Sequence, residues 1–340
     1  MATGRDVAQL AGTSTAVVSY VFNNGPRNVS DETRAKVLAA AEKLNYRPNA
    51  LARALSFGRT ASVGLIVPDI ANPFFGELAR ALEDAAIARG DLLLIGDSAL
   101  DEDREAQIIA AFVERRVDSV VMVSIREHPD FSAFTQAGIP VVALHPVDRG
   151  SAASSVTIDY EAAARAAAEH LVSHGYDSIA LLNGPYDSVG AGQHRRGFRA
   201  AVERADAPIR TSEVNSATSR ADAAARALDW LARPDRPRAV TCATDEQAYG
   251  VLHAAHRLGL RVPQDLAVMG FDGTGHSAYA VPALSTVRQP IPRIAERAVG
   301  LLAEARGDPV HDVLGYELEL RESCGCGAGM SYAAPAAPPA

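Results

Sequence analysis

The residues best equipped for covalent or metal chemistry are Cys324 and Cys326, one glycine apart near the C-terminal end. Two thiols at that spacing can hold a soft metal or form a redox pair. No second ligand pair with convincing spacing accompanies them in the sequence, and an ordinary tail is the simpler reading. His253 and His256 stand one helical turn apart, which suits zinc and suits a solvated helix face better. Thr60 and Gly273-Thr274-Gly275 make neither a phosphate-binding loop nor a dinucleotide fingerprint. There is no nucleophile elbow and no paired carboxylate in a catalytic setting. The sequence therefore predicts no enzyme, no metal site and no cofactor.

A different chemistry is legible in residues 1–59, where polar side chains gather on one short helix. Thr3 can cap a helix over 5–11 that turns Val7, Ala8 and Ala11 inward. Gly12-Thr13 breaks it, and Ser14 can cap a second helix running to about Asn23. Val18, Val21 and Phe22 recur there at helical spacing, which leaves Thr15, Ala16, Ser19 and Tyr20 on the opposite face. Asn23-Asn24-Gly25-Pro26 is a turn, and a third helix from Ser30 should bury Val37, Leu38, Ala41 and Leu44. Two short helices around a tight turn, backed by a third, make a helix-turn-helix. The slim polar face of the second helix fits a major groove. A generic three-helix bundle would share the apolar spacing.

Charge separates along the chain in the same sense. Residues 1–59 hold eight Lys/Arg and four acids, a net of +4, which leaves −12 for the rest of a chain whose total is −8. A basic head can meet phosphates while an acidic body resists them.

The run Asp6-Val7-Ala8-Gln9-Leu10-Ala11-Gly12-Thr13-Ser14, followed by Val17-Val18-Ser19-Tyr20-Val21-Phe22-Asn23, resembles the opening of the lac repressor/gal repressor family. So do Val29 to Arg34 and Leu44-Asn45-Tyr46-Arg47-Pro48-Asn49. The resemblance implies base-reading roles for Thr15, Ala16 and Tyr20, with Ser19 on the same face. It implies phosphate contacts or helix-fixing roles for Ser14, Asn23, Tyr46 and Asn49. It also implies a hinge helix over Asn49 to Ser56, with Ala52 on the DNA and Leu55 as a wedge in the minor groove. Eight residues cannot hold a helix alone in water, so the hinge should order only when two copies pair on DNA. Tyr20 stands where Arg is common in the family, so the half-site need not resemble a familiar operator.

From Ser62 the chain alternates short apolar strands (62–67, 91–96, 118–123, 140–144, 178–183, 238–243, 266–271) with helices (73–89, 101–115, 129–137, 160–174, 189–205, 220–232, 245–258). That alternation predicts an α/β body of doubly wound parallel sheets in two lobes, with a ligand cleft beyond the strands' carboxyl ends. The body also resembles the family and the periplasmic binding proteins, through Val63 to Phe75, Val156 to Leu171, Val268 to Asp272 and Leu284 to Pro290. The resemblance implies three crossings between the lobes, with the helix at about 291–306 returning to the first.

Seven residues are expected at the cleft. The resemblance makes Asp272 the acid that holds sugar hydroxyls, a role suited to a carboxylate because it accepts two hydrogen bonds at once. Asp69 and Asn72 end the first strand, and Phe74 can stack on an apolar sugar face. Asp69 and Asn72 read equally as caps for the helix begun by Pro73, and Phe74 equally as core. His194, Thr244 and His145 stand where the family often has Arg, Asn and Asp. These departures imply an unusual effector, weaker binding of the usual one, or a cleft that has lost its ligand. Asp148 and Arg149 lie close enough in sequence to compensate, and two histidines at the cleft would make binding pH-sensitive.

The organisation expected is a helix-turn-helix domain over 1–48, a hinge and linker over 49–59, a two-lobed body over 60–330 and a disordered Pro/Ala-rich tail over 331–340. No apolar run is long enough to span a membrane, the start lacks a secretory layout, and three cysteines make no disulfide framework, so the cytoplasm is the expected compartment. The expected partners are a double-stranded DNA operator, a sugar or sugar-derived effector, and a second copy of the chain.

Overall fold

The computed structural model describes residues 2–23, 28–47, 58–126, 128–148, 150–185, 190–304, 307–326 and 330–333, without the side chains of Asn23 and 330–333. The chain divides into two compact units, residues 1–61 and 62–340. In the first, α1 (Gly4–Ala11) opens on a reciprocal cap: Asp6 N–H donates to Thr3 Oγ1, and Thr3 N–H donates to the Asp6 carboxylate. Gly12, in the left-handed region, ends it. Ser14 Oγ accepts from Val17 N–H at the start of α2 (Thr15–Asn23), and Ser30 caps α3 (Asp31–Lys43). Val7, Ala8, Val18, Val21, Val37, Ala40 and Ala41 form the core. Leu38 departs from expectation and remains 47% exposed. A three-helix core this small is filled by Val37, Ala40 and Ala41, and the next position along the helix already faces water.

The second unit holds two sheets. The first has the order β11-β5-β4-β3-β1-β2 and is parallel throughout. Its strands are β1 (Ser62–Val67), β2 (Leu92–Asp97), β3 (Ser119–Met122), β4 (Val141–Ala143), β5 (Ser154–Ile158) and β11 (His311–Leu314). Every residue of β1 is buried, as a strand covered on both faces requires. One face packs on α4 (Pro73–Ile87) and α11 (Ile291–Glu304), the other on α5 (Glu102–Glu114) and α6 (Ser132–Gln136).

The second sheet has the order β13-β12-β10-β9-β8-β6-β7. Its strands are β6 (Ser178–Asn183), β7 (Arg210–Asn215), β8 (Ala239–Cys242), β9 (Ala267–Asp272), β10 (Ser285–Arg288), β12 (Glu317–Leu320) and β13 (Met330–Ala333). Its faces pack on α7 (Tyr160–Ser173) with α8 (Ala191–Glu203), and on α9 (Arg220–Leu231) with α10 (Asp245–Arg257). Gly197 lets α7 and α8 touch, since a Cβ there would lie 2.3 Å from the Glu161 carbonyl oxygen. The sheet is parallel except at one edge, where β10, β12 and β13 pair antiparallel. Residues 331–333, read from sequence as disordered tail, instead extend this edge, because backbone pairing with β12 does not depend on side-chain composition.

The chain passes between the lobes after β5, after β10 and after β11, and α11 returns to the first lobe beside α4 as expected. Six strands, β5, β7, β10, β11, β12 and β13, escaped the sequence reading, most of them because they carry few apolar residues. β7 and β11 are edge strands, and β5 presents two serines and a threonine.

Candidate functional site

On the head, Ser14, Thr15, Ala16 and Ser19 are exposed and Tyr20 is half-buried, so the predicted reading face of α2 is open. Tyr46 is half-buried, its ring edge-on to Phe22 at 5.7 Å between centroids. It holds the end of α3 against α2. Arg34 donates to the Val21 carbonyl and ties the same two helices. Asn23 closes α2, with its side chain outside the described residues. Asn49, Ala52 and Leu55 also lie outside them.

In the body all seven predicted cleft residues line one cavity of about 450 Å³ between the lobes, beyond the carboxyl ends of β1, β3, β4, β6, β8 and β9. Asn72 is the N-cap of α4, its side-chain oxygen accepting from Phe74 N–H at 3.0 Å. Asp69 accepts from Ala71 N–H at 2.9 Å, which folds the loop under that cap. Phe74 belongs to the first-lobe core and also faces the cavity. The capping and packing readings and the lining reading therefore hold together. His145 pairs Nδ1 with the Pro146 carbonyl, while its buried Nε2 has no partner among the described residues. Burial lowers its pKa, with the Pro146 contact opposing.

The second lobe supplies Thr244, His194 and Asp272. Thr244 caps α10 by accepting from Gln247 N–H. His194 is buried edge-on to Phe271, with ring centroids 4.6 Å apart, and burial lowers its pKa to about 4. Asp272 ends β9 with φ at 120°, a left-handed value that a non-glycine residue adopts only under tertiary constraint. Gln289 donates to its carboxylate at 3.0 Å. Burial, and then the charge of Asp245, raise the Asp272 pKa well above the usual range. Asp245 lies behind the cavity wall and accepts from Thr274 N–H, Thr274 Oγ1 and Thr286 Oγ1. Burial still raises it to about 6.

Sequence reasoning missed Tyr160, Gln289, Thr157, Ser124 and Glu102, which also line the cavity. Tyr160 stacks on Phe271 at 5.8 Å, just past the first crossing, and Gln289 follows the second. Position at a crossing was the available signal. Ser124 is held by the buried Glu105 carboxylate at 2.9 Å, a pairing invisible in sequence. Asp148, proposed as a compensating residue, pairs with His128 instead and does not line the cavity, and Arg149 lies outside the described residues. Arg195 and Arg196, which follow His194, are turned to Glu213 and Glu161. Among the described residues, no Lys or Arg lines the cavity.

The expected histidine pH-sensitivity is also revised. His194 remains neutral above about pH 4, and burial also favours the neutral forms of His145 and Asp272. Neutral imidazoles offer one donor and one acceptor each. Together with carboxylates and aromatic faces, they match hydroxyl groups on a compact ring.

Comparison with known proteins agrees with this geometry. Residues 3–49 match the model for bacterial regulatory proteins of the lacI family, and residues 168–324 match a periplasmic binding protein-like domain. Catabolite control protein A of Priestia megaterium is 35% identical over 327 residues, covering 94% of this chain and 98% of that protein. The lac repressor dimer bound to operator and the anti-inducer ONPF aligns with a TM-score of 0.84 at 26% identity, over 95% of this chain and 99% of the other. The transcriptional regulator CelR–cellobiose complex aligns with a TM-score of 0.70 at 26% identity, over 95% and 100%. Head, cleft and relatives converge: the chain belongs to the lacI family of bacterial regulatory proteins and is a transcriptional repressor with a DNA-binding domain and a ligand-binding domain.

Proposed function

We propose that this repressor works as a cytoplasmic homodimer on a near-palindromic operator and is controlled by a neutral, hydroxyl-rich effector of the sugar class. The effector reading is carried by the cavity lining. Asp69, Asp272 and Glu102 offer acceptors, His145 Nε2 is unpartnered, Tyr160 and Phe271 offer ring surface, and among the described residues no Lys or Arg lines the cavity. A sugar acid or sugar phosphate would meet Asp69, and Glu102 already paired with Arg126, with no Lys or Arg among the described lining residues to receive it. Effector binding changes the lobe geometry that the paired heads sense. Gly275 N–H of the second lobe donates to Glu77 of α4 in the first at 2.8 Å, a contact that such a change would make or break.

Dimerisation is supported by apolar surface at a sheet edge. Leu92 is 65% and Ile95 50% exposed on edge strand β2, with Ile87 beside them on α4, and Tyr279 and Val281 stand out from the second lobe. An unpaired apolar edge favours a covering partner, and a second copy supplies two heads for a two-fold site.

The deciding experiment is a melting-temperature scan of the full chain with neutral mono- and disaccharides, the matching sugar acids and the sugar phosphates. A neutral sugar at 100 times its Kd should stabilise the body by about 2.7 kcal/mol. Stabilisation by the anionic forms alone would overturn the effector reading.

A further inference from the structure

The second lobe carries a cluster outside the cleft that the repressor function does not use. His170 lies in the last turn of α7 and His174 is its C-cap, so the i, i+4 spacing puts both imidazoles on one face. Their Nε2 atoms are 3.2 Å apart. The C-terminal segment brings the other half. After β12, a single turn over Glu322–Cys324 and Gly325 carry the chain past the end of α7. Cys324 Sγ lies 3.2 Å from His170 Nε2, and Cys326 Sγ lies 3.4 Å from His174 Nε2 and 3.6 Å from His170 Nε2. All four atoms fall within 4.8 Å of one another.

We propose that His170, His174, Cys324 and Cys326 form a closed four-ligand zinc site that fastens the C-terminal segment to α7. Two imidazole nitrogens and two sulfurs are a structural zinc donor set. Metal–ligand lengths of about 2.05 Å for nitrogen and 2.3 Å for sulfur place the corners of a tetrahedron about 3.3 Å apart for N···N and about 3.6 Å for N···S. The distances found here are 3.2 Å and 3.2–3.6 Å. These four of the six separations match a tetrahedron, and the other two, His174 to Cys324 and Cys324 to Cys326, lie within 4.8 Å.

The surroundings fit the same ion. Cys324 is fully buried, and Ser285 Oγ donates to its sulfur at 3.1 Å, a contact that fixes the sulfur's orientation. Tyr176 Oη donates to the Cys324 carbonyl at 3.2 Å and fixes the turn. Gly325, at φ +104°, supplies the reversal that aims both sulfurs the same way, and a Cβ there would lie 3.1 Å from Tyr176 Oη. Four protein ligands leave no open position, so the site is structural. It sits at the opposite end of α7 from Tyr160, about 15 Å along the helix from the cavity. Its expected effect is to hold the turn that leads into β13.

The test uses the full chain without a polyhistidine tag, reduced and stripped with a strong chelator, then titrated with Zn(II) or Co(II). About one metal per chain should bind. Co(II) should give the intense visible bands of tetrahedral geometry with a sulfur-to-cobalt charge-transfer band. Cys326→Ser and His174→Gln, both at the rim of the cluster, should weaken binding and cut the charge-transfer band, while His253→Gln should change neither. Chelation should lower the melting temperature of the wild type and leave that of Cys326→Ser unmoved. The wild-type Co(II) spectrum stands as a test even if a variant misfolds. A weak octahedral spectrum, substoichiometric zinc, or unchanged binding in a folded Cys326→Ser protein would overturn the proposal.

Discussion

The head and the cleft differ in what else their candidate recognition residues do. On α2, Thr15, Ala16 and Ser19 point outward and take no part in the head's core. In the body the candidate effector-binding residues also build the structure. Asn72 and Thr244 cap helices, Phe74 belongs to the core, and Asp272 is held in a strained backbone conformation. A surface reader can change its specificity without changing its stability. A residue that lines a cavity and also supports the cavity wall changes both.

The sharpest way to break this comparison is to unfold one region and ask the other. Val37→Asp buries an unpaired charge at a fully buried position of the head core. Operator binding in a gel-shift assay should be lost, while the sugar-induced rise in melting temperature survives. Loss of both would mean that the two regions do not act separately. Phe74→Ala should come next, costing about 3–5 kcal/mol in denaturant unfolding together with effector affinity, because one ring serves core and cavity.

Asp272→Asn separates the two roles. It should weaken effector binding about tenfold by calorimetry, the scale of one lost hydrogen bond. Its effect on stability has the opposite sign. The Asp272 pKa is raised on folding, so the unfolded chain loses that proton first as pH rises. The wild type therefore gives up stability from the ordinary Asp range upward, and the variant should melt higher by a margin that grows toward neutral pH. The smallest effect belongs to the head surface. Thr15→Ala should stay within about 0.5 kcal/mol of wild-type stability. Its consequence should appear in the sequences selected from a random duplex library. A large drop in stability would show that α2 is not a free reading face.

Much of the head was legible because its structure is local. Caps at Thr3, Ser14 and Ser30 and an apolar stripe a few residues long specify three helices, and the core joins positions within one short segment. Leu38 was misplaced because helical spacing gives a direction and not the reach of so small a core. In the body, buried strands such as β1 announced themselves as apolar runs, whereas edge strand β7 (Arg210–Asn215) is written in polar residues and owes its strand form to pairing with β6. The seven cleft residues were placed by motif and strand end. Tyr160 and Gln289 entered the cavity only through the crossings.

The sequence by itself determined the basic helix-turn-helix, the alternation that builds two lobes, and the acid at the end of β9, because each rests on neighbours in the chain. Tertiary structure alone decided which charges reach the cavity. Arg195 and Arg196 are drawn off by Glu213 and Glu161, and His194 is kept neutral by burial. It also decided the meaning of Cys324 and Cys326. Read along the chain they lack a second ligand pair, but His170 lies 154 residues away and 3.2 Å distant. Chemistry that depends on convergence is set by distance in space, and spacing along the chain cannot encode it until the sheets and helices have packed.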